Sequence, residues 1–268
     1  MLQQAIDLLA EADELSTLLR PLPDADYERV TAFKHYTIND VLRHLHQGDY
    51  MGELAIEGRE AFETWYRGRQ QRRAAGVSTR DDARLQFGHL AGRALHDAWR
   101  AKLDVLADKL GRMDQNARLP WAGPDMGVKM FTTARQMEVW AHGQEIFDVL
   151  GRERQPTDRL KNIAVIGVRT FGWTFANRGL PVPETPPYVR LTAPSGAVWE
   201  WNPPSDRNAV LGNALEFCQV VTQVRNIADT HLRVIGETAQ RWMAMAQCFA
   251  GPPETPPPPG LRRRADVA

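Results

Sequence analysis

Cysteine is almost missing from this chain. Its 268 residues include two, Cys218 and Cys248, with no C-x-x-C spacing. That excludes a cysteine-rich zinc site and a thioredoxin-type redox motif. Both fall in apolar helical stretches and read as buried free thiols. Long apolar runs are missing too. No stretch approaches the roughly 20 apolar residues that a membrane helix needs, so no membrane partner is expected. Neither sign of charge is in excess: 33 basic and 33 acidic side chains give a formal net charge of +0. A nucleic-acid binder needs positive surface to displace counterions, so no nucleic-acid partner is expected either. The first residues carry Asp7 early and no basic segment, which does not read as a signal peptide, and the cytoplasm is the expected compartment. What is present is ordinary for a folded domain: 43% hydrophobic and 25% charged residues, enough to bury a core.

Helical periodicity dominates the first 180 residues. Ala5, Leu8, Leu9, Ala12, Leu15 and Leu19 fall on one stripe, and Pro21 and Pro23 end that helix. Thr37 is a suitable N-cap, with Asp40 at the third helical position, for a second helix running to about Arg69. The basic run Arg67–Arg73 and Gly76 break the pattern. A third helix is expected over about 79–113, then a loop over 119–124. A fourth is expected over about 127–150, and an apolar fifth over about 157–177. From Gly179 the character changes. Residues 188–193 and 197–202 alternate like strands around a Pro-Ser-Gly turn. Ser205 or Asp206 can cap a helix to about Arg225, and a last helix is expected over about 230–249. The expected class is therefore mainly α: an up-down helical bundle over 1–180 followed by a small α+β domain over 181–250. The Pro- and Arg-rich tail, 251–268, reads as disordered.

One pattern carries chemistry. On the second helix His44 shares the inward face with Val41, Leu45, Gly48 and Gly52, while His46 projects about 200° away, toward solvent. The two glycines leave room around the imidazole. On the fourth helix Glu138 and His142 are four residues apart and share an apolar face with Phe131, Ala134 and Ala141. A carboxylate on such a stripe needs a partner or a metal. Two imidazoles and a carboxylate from facing helices form a three-ligand site with an open position, as in catalytic zinc centres. A plainer alternative is a Glu138–His142 hydrogen bond, or an Arg135–Glu138 pair, with no metal. His89 and His96, seven apart on the third helix, offer a weaker two-histidine alternative, and His35 and His231 sit at helix entrances.

These residues resemble a known family. Tyr36-Thr-Ile-Asn-Asp-Val-Leu-Arg-His44 is similar to the first ligand motif of the DinB/YfiT-like metal-binding superfamily, where an aromatic residue, usually Trp, stands eight positions before the histidine. Thr133-Ala-Arg-Gln-Met-Glu138-Val-Trp-Ala-His142-Gly resembles the second motif of its mycothiol-dependent maleylpyruvate isomerase branch. Residues 189–201 are similar to that branch's small sterol-carrier-type C-terminal domain. The runs 217–229 and 248–253 look like an uncharacterised subgroup, not the isomerase proper. The resemblance implies a DinB-like bundle and zinc, or another divalent metal, on His44, Glu138 and His142. It also implies a low-molecular-weight thiol such as mycothiol as cofactor and a small-molecule substrate. Arg225 occupies a position resembling the isomerases' catalytic arginine, though an arginine at a helix C-terminus also serves the helix dipole. A metal-bound thiolate would serve an isomerase or an S-transferase. The alternatives are metal-assisted hydrolysis, with Glu145 or Asp49 as base, and a metal- or ligand-binding module without catalysis. The oligomeric state stays open between monomer and homodimer.

Overall fold

The computed structural model describes residues 1–263; the remainder of the expected tail, Arg264 to Ala268, lies outside the described residues. The chain divides into two compact units, Met1–Leu150 and Gly151–Ala268. The class is the expected one, mainly α with a small α+β part toward the C-terminus.

The first unit is built on four helices: α1 (Gln3–Leu19), α2 (Ile38–Glu57), α5 (Gly92–Arg112) and α6 (Val128–Val149). The apolar stripe of α1 becomes core: Leu8, Leu15 and Leu19 are fully buried with Leu42, Leu45, Trp99, Leu103 and Val139. Thr37 caps α2 as expected. Its hydroxyl accepts from the Asp40 N–H, and its own N–H donates to the Asp40 carboxylate, both at 3.2 Å.

Two expected long helices are each split at glycine. The second stops at Gly58, which takes φ +134°, and a separate helix α3 (Arg59–Ala74) follows. The basic run Arg67–Arg73 therefore forms the C-terminal turns of this separate helix α3, with Arg72 and Arg73 in its last turn. The third divides into α4 (Thr79–Phe87) and α5, with Gly92 at φ +53°. A Cβ at Gly92 would stand 2.3 Å from Asp24 Oδ1, so the break also makes room for that side chain. The expected loop over 119–124 is a hairpin of β1 (Arg118–Trp121) and β2 (Gly123–Gly127), which covers a second apolar cluster of Phe62, Leu106, Leu110 and Phe131.

The second unit begins at Gly151, not near residue 181. The fifth helix divides into α7 (Leu160–Arg169) and α8 (Phe171–Ala176). α7 packs on α9 (Ala214–Val221), so closely that a Cβ on Gly167 would stand 2.8 Å from Val221 Cγ2. Its apolar surface is thus spent on the sheet-bearing unit, which moves the boundary. The sheet has strand order β4-β3-β5-β6, with the expected hairpin β3 (Tyr188–Thr192) and β4 (Val198–Trp201). Two expectations fail nearby. Residues assigned to the start of a helix form β5 (Ala209–Asn213), parallel to β3, because the Ala-Val-Leu run is paired on both sides and buried. Asn213, not Ser205 or Asp206, caps the helix that follows. The last expected helix is interrupted by β6 (Arg233–Ile235) and Gly236 at φ +85°, leaving only α10 (Glu237–Met243).

The proline-rich segment 251–263 is not loose. Its carbonyls accept from side chains of the second unit: Gln223 and Arg178 donate to Glu254 O at 3.1 and 2.6 Å, and Asn226 to Pro257 O at 2.8 Å. A proline-rich segment lacks N–H donors at its prolines, but its carbonyls still accept, and these bonds hold it against the second unit.

Candidate metal centre

α2 and α6 bring His44, Glu138 and His142 together. Glu138 Oε2 lies 3.1 Å from His44 Nε2 and 3.4 Å from His142 Nε2. The imidazoles meet edge to face with ring centres 4.4 Å apart. One candidate ligand atom from each residue falls within 4.8 Å of the others. All three side chains are half-buried, exposed by 25%, 22% and 13% in chain order, so the cluster is open on one side. Burial, reinforced by the neighbouring His142, pushes the His44 imidazole down to about 4, against the pull of Glu138. Burial alone would raise the Glu138 carboxyl, but hydrogen bonds to His142 and His44 hold it well below the usual carboxylate range. At neutral pH His44 is thus a neutral imidazole whose Nε2–H donates to an ionised carboxylate.

The surroundings hold this geometry. Arg135 does not pair with Glu138. It reaches across α2 and donates from Nε to Asp49 Oδ1 at 3.0 Å, in a pair with side chains 4% and 0% exposed. Gly48 is what lets it pass, since a Cβ there would stand 2.6 Å from Arg135 Nη2. The room beside His44 is therefore taken by a guanidinium. Asp49, buried and held by Arg135, is in no position to serve as a base. Glu145 is buried as well.

On the other side the loop 31–36 closes over the cluster. Within it the Thr31 N–H donates to the Tyr36 carbonyl and the Tyr36 N–H to the Phe33 carbonyl, both at 2.8 Å, and Lys34 and His35 both take the left-handed conformation, at φ 49° and 55°. This path sets the Phe33 ring edge-on to His142 with centroids 4.9 Å apart, and Tyr36 packs behind Phe33 at 5.0 Å. The aromatic residue eight positions before His44 thus supports the wall of the site through Phe33. Sequence reasoning missed Phe33 and Arg135 in these roles; consecutive non-glycine residues at positive φ leave no signature in composition.

The remaining histidines stand apart. His46 is buried, 6% exposed, against the edge of Phe87, because α4 packs on the face of α2 that was expected to meet solvent. His96 is buried and bonded to Ser16 Oγ at 2.8 Å, while His89 is exposed in the turn between α4 and α5, so the two make no site. His35 is exposed in the loop, and His231 pairs with Glu216 at 2.9 Å. Arg225 belongs to the second unit, beyond the end of α9, where its guanidinium donates to the Val224 carbonyl at 3.1 Å.

A DinB-like bundle with two histidines and a glutamate converging from facing helices defines a class of helical proteins with a side-chain cluster that could hold a metal ion. Within that class, the chain belongs to the mycothiol maleylpyruvate isomerase N-terminal domain family, whose sequence profile matches residues 8–147. That span falls within the first unit. Two uncharacterized proteins of Mycobacterium tuberculosis, from strains CDC 1551 / Oshkosh and H37Rv, are each 36% identical over 247 residues, 92% of this chain and 95% of theirs. A crystal structure of the mycothiol-dependent maleylpyruvate isomerase superposes with a TM-score of 0.51 at 15% identity, covering 81% of this chain and 87% of that one. A histidine-to-alanine mutant of the same enzyme gives 0.52 at 14% identity. At these identities the likeness to the solved structures is one of fold. No helix among the described residues is long and apolar enough to cross a membrane.

Proposed function

We propose that His44, Glu138 and His142 hold one divalent metal ion, zinc by the character of the donors. On this reading the chain is a thiol-dependent isomerase or S-transferase acting on a small molecule. The observation that carries the proposal is the position of Glu138 Oε2, 3.1 and 3.4 Å from the two Nε2 atoms. A tetrahedral ion with bonds of roughly 2 Å separates its ligand atoms by about 3.3 Å, so this set needs little movement to accept one. Its composition, two neutral nitrogen donors and a carboxylate, suits zinc. When bound, such an ion offers an open position where a low-molecular-weight thiol, mycothiol by family, is held as its thiolate, the form that adds to activated double bonds.

The chain's own residues do the rest. The depressed basicity of His44 keeps its imidazole uncharged at neutral pH, so it adds no positive charge against a cation. Glu138 supplies the negative charge that offsets a cation. The Arg135–Asp49 pair ties α6 to α2 through Asp49 Oδ1 and fixes the spacing of the two helices. Phe33 walls His142 and limits water on that side. Arg225 enters as the second unit's candidate for a substrate carboxylate; Arg225→Ala should lower turnover while metal content stays intact.

The test is metal analysis of the purified protein, wild type against His44→Ala, followed by calorimetric titration with low-molecular-weight thiols. One equivalent of metal in the wild type, lost in the variant, and thiol binding only to the loaded protein support the proposal. Metal uptake with no thiol effect would reduce the protein to a metal-binding module.

A further inference from the structure

One cation in the first unit has no structural work adequate to its burial. α3 presents an inward stripe of Phe62, Trp65, Tyr66 and, at the next position of the same spacing, Arg69. The first three pack on the apolar cluster beneath β1 and β2. Arg69 stands where a fourth apolar residue would be expected, with its side chain 14% exposed.

Its partners are poor. The nearest carboxylate is Asp82 of α4, whose Oδ2 is 3.7 Å from Arg69 Nε, too far for a hydrogen bond. Asp82 is already occupied: Arg72 Nε donates to one oxygen, and Gln47 and Gln86 donate to the other at 2.8 and 3.2 Å. Among the described residues Arg69 Nε has no hydrogen-bond partner, and Nη1 reaches the Met51 thioether at 3.8 Å. Two arginines thus share one carboxylate, which leaves a positive charge over. A guanidinium has five donors in a planar fork matched to a carboxylate, and leaving them unpaired in a half-dry site is costly.

The place of this charge matters. Gln47 and Met51, which tie Asp82 and Arg69 to α2, lie three and seven residues after His44, on the same helical face. Arg69 is also within electrostatic range of Glu138. The surplus cation is therefore set along α2 from the three-ligand cluster, on the helical face that carries His44.

We propose that Arg69 is the anchor for a carboxylate of the ligand whose reactive end lies at His44, Glu138 and His142. The inference rests on the reading of that cluster as the reactive centre. It makes this chain selective for anionic substrates or thiol conjugates from within its metal-bearing unit. The bond is charge-assisted and bidentate, with Trp65 beneath the guanidinium at 6.0 Å.

Succinate, with succinamide as its uncharged counterpart, is the probe. Binding to the full chain is followed by calorimetry on metal-free and metal-loaded protein, for wild type, Arg69→Gln, Arg69→Lys and His44→Ala. Succinate should bind wild type in both metal states and succinamide should not. Arg69→Gln should weaken succinate by about tenfold or more, the effect of losing one charge-assisted contact. Arg69→Lys, which keeps the charge but not the fork, should fall between them and also reports on folding. His44→Ala should lose metal but keep succinate, so failure of the metal reading and failure of this one give different results. Equal binding by wild type and both Arg69 variants, equal binding of succinamide, or no succinate binding to wild type overturns the proposal.

Discussion

Arg135 and Asp49 form a buried ion pair that crosses from α6 to α2 directly beneath the candidate metal centre, with Arg135 Nε 3.0 Å from Asp49 Oδ1. The pair explains a glycine. Position 48 must lack a side chain for the guanidinium to lie against the helix.

This pair sets the first prediction. Removing one partner strands the other charge in the interior, so Arg135→Met alone should cost about 3–5 kcal/mol. Combining it with Asp49→Leu should recover most of that loss. Urea denaturation of the two single variants and the double variant measures the coupling. Additive losses would mean that the two side chains do not depend on each other.

Gly48→Ala is a sharper probe of the same place. Alanine favours the helix by about 1 kcal/mol over glycine, yet its methyl group would meet Arg135 Nη1 and Nη2 at 2.7 and 2.6 Å. The clash should win and leave the variant less stable than wild type. In the Arg135→Met background the sign should reverse. A Gly48→Ala protein more stable than wild type would show that the guanidinium moves aside at little cost.

Metal should stabilise the fold through the three candidate ligands. An ion at 100 times its dissociation constant adds about 2.7 kcal/mol to a protein that binds it only when folded. Thermal melts with and without zinc should show a rise in Tm for wild type. Glu138→Gln and His142→Ala should show little or none. An undiminished rise in both variants would put the ion elsewhere.

Acid stability should depend on His96. It is buried with its ring bonded to Ser16, and burial lowers its pKa from 6.5 even though Asp97 pulls the other way. In the unfolded chain the imidazole takes a proton as pH falls through 6.5, while in the fold it resists. Stability is therefore complete above 6.5 and declines as pH falls from there toward the folded value. His96→Gln should flatten the fall in urea midpoint between pH 7 and 5. An unchanged slope would assign the acid sensitivity to other groups.

The proline-rich segment should matter to the second unit. Ending the chain at Gly251 removes acceptors for Gln223, Asn226 and Arg178, each bond contributing about 1 kcal/mol net. Such a truncation should lower Tm. A melt identical to that of the full chain would mean that water replaces these acceptors without loss.

Much of the candidate centre was legible before any coordinates. Glu138 and His142 announce themselves at i, i+4 on an apolar face, and the glycine-flanked His44 reads as inward. The surroundings were less legible. His46 was expected in solvent because a helical wheel has only two sides, whereas α2 is covered by α4 on one and by the bundle on the other. Arg69 was read as part of a helix-ending basic run. Nothing in its neighbours says that Gly58 restarts the helix and turns that residue inward. The strand β5 was read as helix because an Ala-Val-Leu run carries no decisive period.

Local sequence determined where α2 and α6 begin, the cap at Thr37, and which side chains stand on a common helical face. These depend on backbone geometry a few residues wide. The meeting of His44 with the pair on α6, the crossing of Arg135 past Gly48, and the isolation of Arg69 beside an already saturated Asp82 were decided by tertiary packing. Each joins positions far apart in the chain. Only the mutual fit of whole helix faces, filled to the density of a folded interior, fixes which of them touch.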